Sequence, residues 1–475
     1  MIAGGGGFRV PLVYRALAAG PFSGLVRELV LFDVDPARLD AMEAVLAAMA
    51  SGPSSTALSS GSWPRVRTTT SRAEALTGTD MVFAAIRPGG TAGRIADERV
   101  ALQLGLLGQE TTGAGGISYA LRSIPAMLEL AGAMRQLAPD AWLINFTNPA
   151  GMVTEALRPI LGNRVIGICD SASGLVRRAA KAAGAPLPEG KLDGVGYYGL
   201  NHLGWLYRLE SRGQNLLPGL LSDARALAGF EEGRLFPQRF LERLGCLPNE
   251  YLIYYYDTTK AVEAMLAAKA TRGESIHSQQ EDLYPRLAAA GPAAYSLWDS
   301  ARRSREEGYL AEARPAGEER DAEDLNGGGY ERVALSVMRA LSGGGNAELI
   351  LNTVNSAGEA SAGGNSAGGT SAGHGDAAVP AIPGLPTDAV VEVPCVVNPE
   401  GAAPLPQRLP HDAQLSLMLQ VKKVERLTVR AATSGDRESA IAAFAEHPLI
   451  ASETLALALL KGYEEALPAL KERWR

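Results

Sequence analysis

The first 190 residues repeat one short pattern, and that pattern leaves little choice of fold. Apolar runs rich in β-branched side chains, LVLFDVD (29–35), MVFAAI (81–86), AWLINFTN (141–148) and RVIGICD (164–170), alternate with Ala- and Leu-rich stretches around 11–19, 36–50, 118–138 and 171–184. Each apolar run is too short for a helix and reads as a strand buried on both faces, since a half-exposed strand would alternate apolar with polar. Strands separated by helices pair in parallel, so the chain is α/β, built on a doubly wound parallel sheet. Ligands of such sheets collect beyond the carboxyl ends of the strands. The polar residues Asp33, Arg87, Asn148 and Cys169 all fall there.

Past about residue 190 the rhythm changes. GYYGLNHLGWLYRLE (196–210) alternates as sheet, NEYLIYYYDTTKAVEAMLAAKA (249–270) is aromatic and then helical, and VALSVMRALSG (333–343) reads as helix. This predicts a first domain over 1–190 and a second, mixed α/β domain over 191–475 that closes over it without a clean linker. Inside the second domain, SAGEA, SAGGN, SAGGT and SAGHG repeat a five-residue unit from Ser356 to Gly375. Such small residues have nothing to bury, so 356–375 is expected to be a disordered surface loop and His374 a solvated side chain.

The net charge of −7 argues against a nucleic-acid partner, which would need a basic field. Cys169, Cys246 and Cys395 lie far apart, as suits a reducing compartment. No apolar run reaches the length of a membrane span, and the start shows no signal-peptide pattern. The expectation is a cytoplasmic protein of enzyme size, with no membrane partner.

The segment Gly4-Gly5-Gly6-Gly7 precedes a helix, and Asp33 ends the next strand. Glycines there let backbone approach a pyrophosphate resting on the helix N-terminus, and the acid accepts bonds from ribose hydroxyls, which favours NAD over NADP. The pattern makes a Rossmann-like site of Gly4, Gly5, Gly6, Phe8, Arg9 and Asp33, although Arg9 stands where a third glycine is usual. Only Met1, Ile2 and Ala3 precede the glycines, so the first strand is very short or the start is truncated.

Cys169 and His202 are a thiolate and an imidazole that suit a divalent transition metal, but their separation carries no spacing signature. On residues alone, a buried structural cysteine and a core histidine stand beside the metal reading. The motifs GGGGFRVP (4–11), IRPGG (86–90), GLLGQETTGAGGISYALRSIP (105–125), NFTNPAG (145–151), GICD (167–170), GLNHLGW (199–205) and PNEYLIYYY (248–256) follow one another in order. Together they resemble glycoside hydrolase family 4, the NAD- and metal-dependent glycosidases, over most of the chain up to IPGLPTDAVVEVPC (382–395).

The resemblance implies roles. Cys169 and His202 match the metal ligands, Tyr251 the base at C2 of the sugar, and Asp170 the acid of α-specific members; β-specific members resemble a Cys-Asn pair there. Asn148 and Glu110 match substrate contacts, and Arg87 and Arg272 match basic positions near the sugar and any 6-phosphate. NAD with a divalent metal, manganese first, is the implied cofactor set, a (phospho)glycoside the substrate, and a dimer or tetramer the assembly. The implied reaction is oxidation at C3, deprotonation at C2, elimination, water addition and re-reduction, in place of the paired carboxylates of ordinary glycosidases. A phenol titrates near ~10 in isolation, so such a site must lower Tyr251. LNHLGW and LPNEYLIYYY favour the 6-phospho-β-glucosidase-like reading, whereas Asp170 favours an α-specific member. Two other classes stay open: an NAD-dependent hydroxy-acid dehydrogenase, and a nucleotide sensor in which Cys169, His202 and Tyr251 do not meet.

Overall fold

The computed structural model describes residues 1–18, 20–52, 63–308, 329–357 and 379–474. The strands β1 (Ile2–Ala3), β2 (Glu28–Phe32), β3 (Arg65–Thr69), β4 (Met81–Ala84), β5 (Trp142–Asn145) and β6 (Val165–Gly167) form the expected parallel sheet, in the spatial order β3-β2-β1-β4-β5-β6. This is the Rossmann order, with its crevice beside β1 and β4. Successive residues enter opposite cores. Ile2, Leu31, Phe83, Ile144 and Ile166 join one apolar cluster, while Ala3, Val30, Val82, Leu143 and Val165 join the other. Burial on both faces is why these strands read as unbroken apolar runs.

Local signals place the helices. Asp35 accepts from the backbone N–H groups of Ala37 and Arg38 and, with Pro36 in the first turn, starts the helix Pro36–Ser51. Thr271 and Glu274 form a reciprocal capping box that starts the helix Arg272–Ala289 and puts Arg272 in its first turn.

The second half does not build a separate sheet. Its strands β7 (Val195–Leu200), β8 (Leu203–Ser211), β10 (Leu247–Pro248), β11 (Ala347–Val354) and β12 (Val390–Asn398) continue from β6 in the order β6-β11-β12-β7-β8-β10. All of these junctions are antiparallel, and the short β9 (Gln214–Asn215) and β13 (Gly401–Pro404) flank β8 and β12. One 13-stranded sheet therefore runs through both halves. Among the described residues, no helix is long and apolar enough to cross a membrane.

The start of the expected Ser-Ala-Gly loop needs correction. Ser356 is buried, and the Ala357 N–H donates to the Val379 carbonyl at 2.7 Å in an antiparallel bridge. Just before it, the Asn355 amide donates to the carbonyls of Ile382 and Leu385, both at 3.1 Å. The remainder of the repeat, His374 included, lies outside the described residues. Ala357 and Val379 are placed as a hairpin pair, so replacing 358–378 by Asn-Gly should close a two-residue turn. Loop-closure cost varies slowly with length, and the melting temperature should move by no more than about 3 °C. A loss of soluble, cooperatively melting protein would show that the segment packs on the body.

Candidate active site

The carboxyl ends of β1, β2, β4, β5 and β6 open into a cleft of about 1430 Å³. Gly4, Phe8, Arg9, Asp33, Arg87, Glu110, Asn148, Cys169, Asp170, His202, Tyr251 and Arg272 all line it. The structure thus brings together residues spread over most of the chain, as the metal-dependent reading requires and the sensor reading does not.

Gly4 takes a left-handed φ of 89°, and a Cβ there would come within 2.6 Å of the Ala85 carbonyl oxygen. Its N–H and that of Gly5 both donate to the Phe32 carbonyl, at 2.9 and 2.7 Å, which ties the turn to the end of β2. The Asp33 carboxylate accepts from the Gly6 N–H at 3.0 Å. Gly5 and Gly6 are not on the cleft wall; they let the turn lie against Leu31 and Arg38, while Gly7, not singled out from sequence, reaches the cleft. The helix Val10–Ala18 begins directly behind, so the positive end of its dipole and the turn form a cradle that suits a pyrophosphate.

Distant residues brace this turn. The Tyr284 hydroxyl donates to the Gly6 carbonyl at 2.8 Å, the Trp298 indole to the Phe8 carbonyl at 2.8 Å, and the Tyr330 hydroxyl to the Arg9 carbonyl at 2.7 Å. Arg9, in the place of the missing glycine, pairs with Glu306 at 3.0 Å. Sequence reasoning missed Tyr284, Trp298, Tyr330 and Glu306.

Cys169 follows β6, and His202 sits in the tight turn between β7 and β8 with a left-handed φ of 64°. A β-carbon makes that conformation costly, of order 1–3 kcal/mol, and such strain gathers at functional positions. The Cys169 Sγ and His202 Nε2 lie 3.5 Å apart. Bond lengths of about 2.3 and 2.1 Å across a tetrahedral angle give about 3.6 Å, so the pair fits one divalent cation. Burial holds the imidazole neutral, with its pKa down to about 3, as a ligand must be. The His202 Nδ1 is buried without a protein partner among the described residues. Burial, then the negative charges of Glu392 and Asp170, push the Cys169 thiol well up; a cation beside it acts in the opposite direction. Among the described residues, no three His, Cys, Asp or Glu side chains gather as a metal cage.

Tyr251 lies flat on His202, with ring centroids 3.8 Å apart and planes 7° from parallel. Asn249 caps this short turn by accepting from the Tyr251 N–H at 3.1 Å, and its amide donates to the Ser171 hydroxyl at 2.9 Å, beside Cys169. Asp170 occupies the N-cap position of the helix Ser171–Ala182 yet makes no side-chain cap bond. Burial raises its carboxyl above the usual range, against the pull of Arg9.

Arg87 and Glu110 are ion-paired, and Arg94 reaches the same carboxylate at 2.7 Å. Burial works to raise Glu110, but Arg87 and Arg94 outweigh it and hold it down at about 2. The pair is therefore a fixed wall of the cleft rather than a surface ion pair. Arg272 donates to the backbone carbonyls of Gly308 and Arg305, and Arg305 itself lines the cleft. Burial and the neighbours Arg9, Arg272 and Arg94 bring Arg305 down to about 9, the mark of a crowded cationic corner.

Residues 2–185 match the family model described as Family 4 glycosyl hydrolase, and residues 197–450 match the Family 4 glycosyl hydrolase C-terminal domain. The chain belongs to glycosyl hydrolase family 4. It is 28% identical over 417 residues to a probable 6-phospho-beta-glucosidase of Bacillus subtilis, covering 84% of this chain and 82% of that protein. It is 33% identical over 323 residues to 6-phospho-alpha-glucosidase 1 of Lacticaseibacillus paracasei, covering 62% and 69%. The 6-phospho-beta glucosidase of Thermotoga maritima, solved with manganese, NAD+ and glucose-6-phosphate, superposes with a TM-score of 0.75 at 26% identity, over 99% of this chain and 98% of that one. As a family 4 member the chain is a glycoside hydrolase, and the dehydrogenase reading falls away.

Proposed function

We propose that this family 4 enzyme hydrolyses 6-phosphoglucosides, using NAD and a divalent metal, manganese first. The observation that carries this reading is the meeting of Cys169, His202 and Tyr251 in the cleft that the glycine turn also lines. The Thermotoga complex with manganese, NAD+ and glucose-6-phosphate supports it. The turn around Gly4 with Phe8, Arg9 and Asp33 would hold NAD, and Cys169 with His202 the metal. When bound, NAD supplies a hydride acceptor for C3 of the sugar and the metal supplies positive charge beside the oxygen at C3, which acidifies the proton on C2.

The chain's own groups do the rest. Tyr251, held against His202, takes the C2 proton. Asp170, whose buried carboxyl keeps its proton to higher pH than usual, gives one to the glycosidic oxygen at C1. Arg87, Glu110 and Asn148 orient the sugar ring. Arg272, with Arg305 beside it, meets the phosphate, a role that planar guanidinium groups suit. The reading places the enzyme in the cytoplasm, where thiols such as Cys169 stay reduced.

For the anomer we take the β-linked substrate, on the resemblance of LNHLGW and LPNEYLIYYY. A second reading, the α-linked one, is favoured by Asp170, which stands buried in the cleft as an acid. Nitrophenyl glucosides, α and β, with and without a 6-phosphate, test both in the presence of NAD and manganese. Cleavage of the β-linked 6-phosphate at least about 10-fold faster than the other three is expected, a difference of about 1.4 kcal/mol in barrier. Faster cleavage of the α-linked 6-phosphate would move the assignment to the second reading. Equal rates without the phosphate would overturn the role given to Arg272.

A further inference from the structure

The junction between the parallel and antiparallel parts of the sheet carries an unusual polar row. Gly167 of β6 faces Asn352 of β11, Asn352 faces Glu392 of β12, and Glu392 faces Gly199 of β7. Glycines at the two ends let the strands come close, since a Cβ on Gly167 would stand 2.8 Å from the Asn352 Cβ and one on Gly199 would collide with Gly204. Asn352 and Glu392 are both fully buried.

The Glu392 carboxylate accepts from the Tyr197 hydroxyl at 2.9 Å, from the Asn201 amide at 3.2 Å and from the Asn352 amide at 3.1 Å. All three partners are neutral. A carboxylate in a core normally has a cation to offset the loss of hydration. Burial accordingly raises the Glu392 carboxyl, to about 7, against the bonds from Asn201, Tyr197 and Asn352. One side chain links this carboxylate to the metal pair. Asn201, bonded to Glu392 through Nδ2, accepts from the Ala150 N–H at 3.2 Å through Oδ1. That amide is therefore clamped at both ends, and the next residue is His202, in its left-handed conformation.

We propose that Glu392 is a positioning residue for the metal pair: through Asn201 it holds the turn that presents His202 to Cys169. The inference rests on the reading of Cys169 and His202 as the metal ligands. Groups behind a metal ligand orient it and tune the cation it accepts, and their loss typically costs about 10–100-fold in metal affinity. NAD binds elsewhere in the cleft, so its affinity is the internal control.

Calorimetric titration of manganese and of NAD into metal-free protein tests this, alongside the thiolate-to-metal absorption band of the cobalt(II) form. Glu392→Gln keeps the shape and replaces the carboxylate that the Asn201 amide bonds to with a weaker, neutral acceptor; Asn201→Ala removes the link. Each should bind manganese about 10–100-fold more weakly and shift the cobalt band, while NAD affinity stays within about 2-fold of the parent. The double variant should be no weaker than the weaker single one, because both act on one connection. Should Glu392→Gln fail to fold, Asn201→Ala carries the comparison. Parent protein that binds manganese tightly, His202→Ala that does not, and folded Glu392→Gln or Asn201→Ala that matches the parent would overturn this inference alone. Parent protein that binds manganese no better than His202→Ala would overturn the metal reading and this inference with it.

Discussion

Tyr251→Phe should give a folded protein that still binds NAD and manganese yet cleaves its substrate about 10²–10⁴-fold more slowly, the usual cost of losing a general base. The substitution removes one hydroxyl and leaves the ring. A phenylalanine keeps the face-to-face contact with His202, at 3.8 Å between centroids, and the edge contact with Tyr254. Packing and the metal pair are thereby preserved, so a fall in kcat with unchanged ligand affinities isolates the proton transfer. Neighbouring groups are poorly placed to substitute. Burial pushes the Tyr255 hydroxyl well above its ordinary value, so it gives up its proton less readily than an ordinary phenol. Steady-state cleavage with calorimetric NAD and manganese titrations checks this. Cleavage within a few-fold of the parent would reduce Tyr251 to a packing role.

His202→Ala has a comparably large expected effect of a different kind. It removes the nitrogen that faces the Cys169 sulfur at 3.5 Å and leaves one protein ligand. Manganese affinity should fall by more than about 100-fold, beyond the range seen when only a supporting group is lost. Turnover should disappear, while NAD affinity should stay within about 2-fold, because the turn proposed to hold the pyrophosphate, with Gly4 and Gly7 on the cleft, does not involve residue 202. Removing the metal from the parent with a chelator should reproduce the loss, and added manganese should restore it. The left-handed φ of 64° at residue 202 strains any side chain, so His202→Gly, which relieves that strain, is the companion variant. Both should lose metal equally. Full activity in chelator, or in either variant, would remove the metal from the account.

What could be read from the sequence follows the range of the interactions involved. The parallel strands were legible because burial on both faces writes itself into consecutive residues. Asp33 was legible because the turn it serves lies one strand and one helix away, and its bond to the Gly6 N–H follows from that register. Cys169 and His202 carried no spacing signature, and only the ordered family motifs singled them out; the 3.5 Å approach depends on strands β11 and β12, which come from far along the chain. The continuation of one sheet through both halves was not legible for the same reason, since the order β6-β11-β12-β7 places strands beside each other that are not neighbours in sequence. Trp298, Tyr284 and Tyr330 brace the glycine turn through its carbonyls, and a backbone carbonyl leaves no trace in the sequence. Glu392 is one polar residue in a valine-rich strand, and its meaning appears only with the hydroxyl and two amides that surround it.

The central claim is that cleavage passes through removal of the proton at C2, which no carboxylate-pair hydrolysis requires. Running the reaction in deuterium oxide and recording the released sugar by proton NMR tests it directly. The account predicts a released sugar that carries deuterium at C2 from the first turnover, with NAD required and none consumed. A released sugar with its original hydrogen at C2 would contradict it, whatever the rate of cleavage.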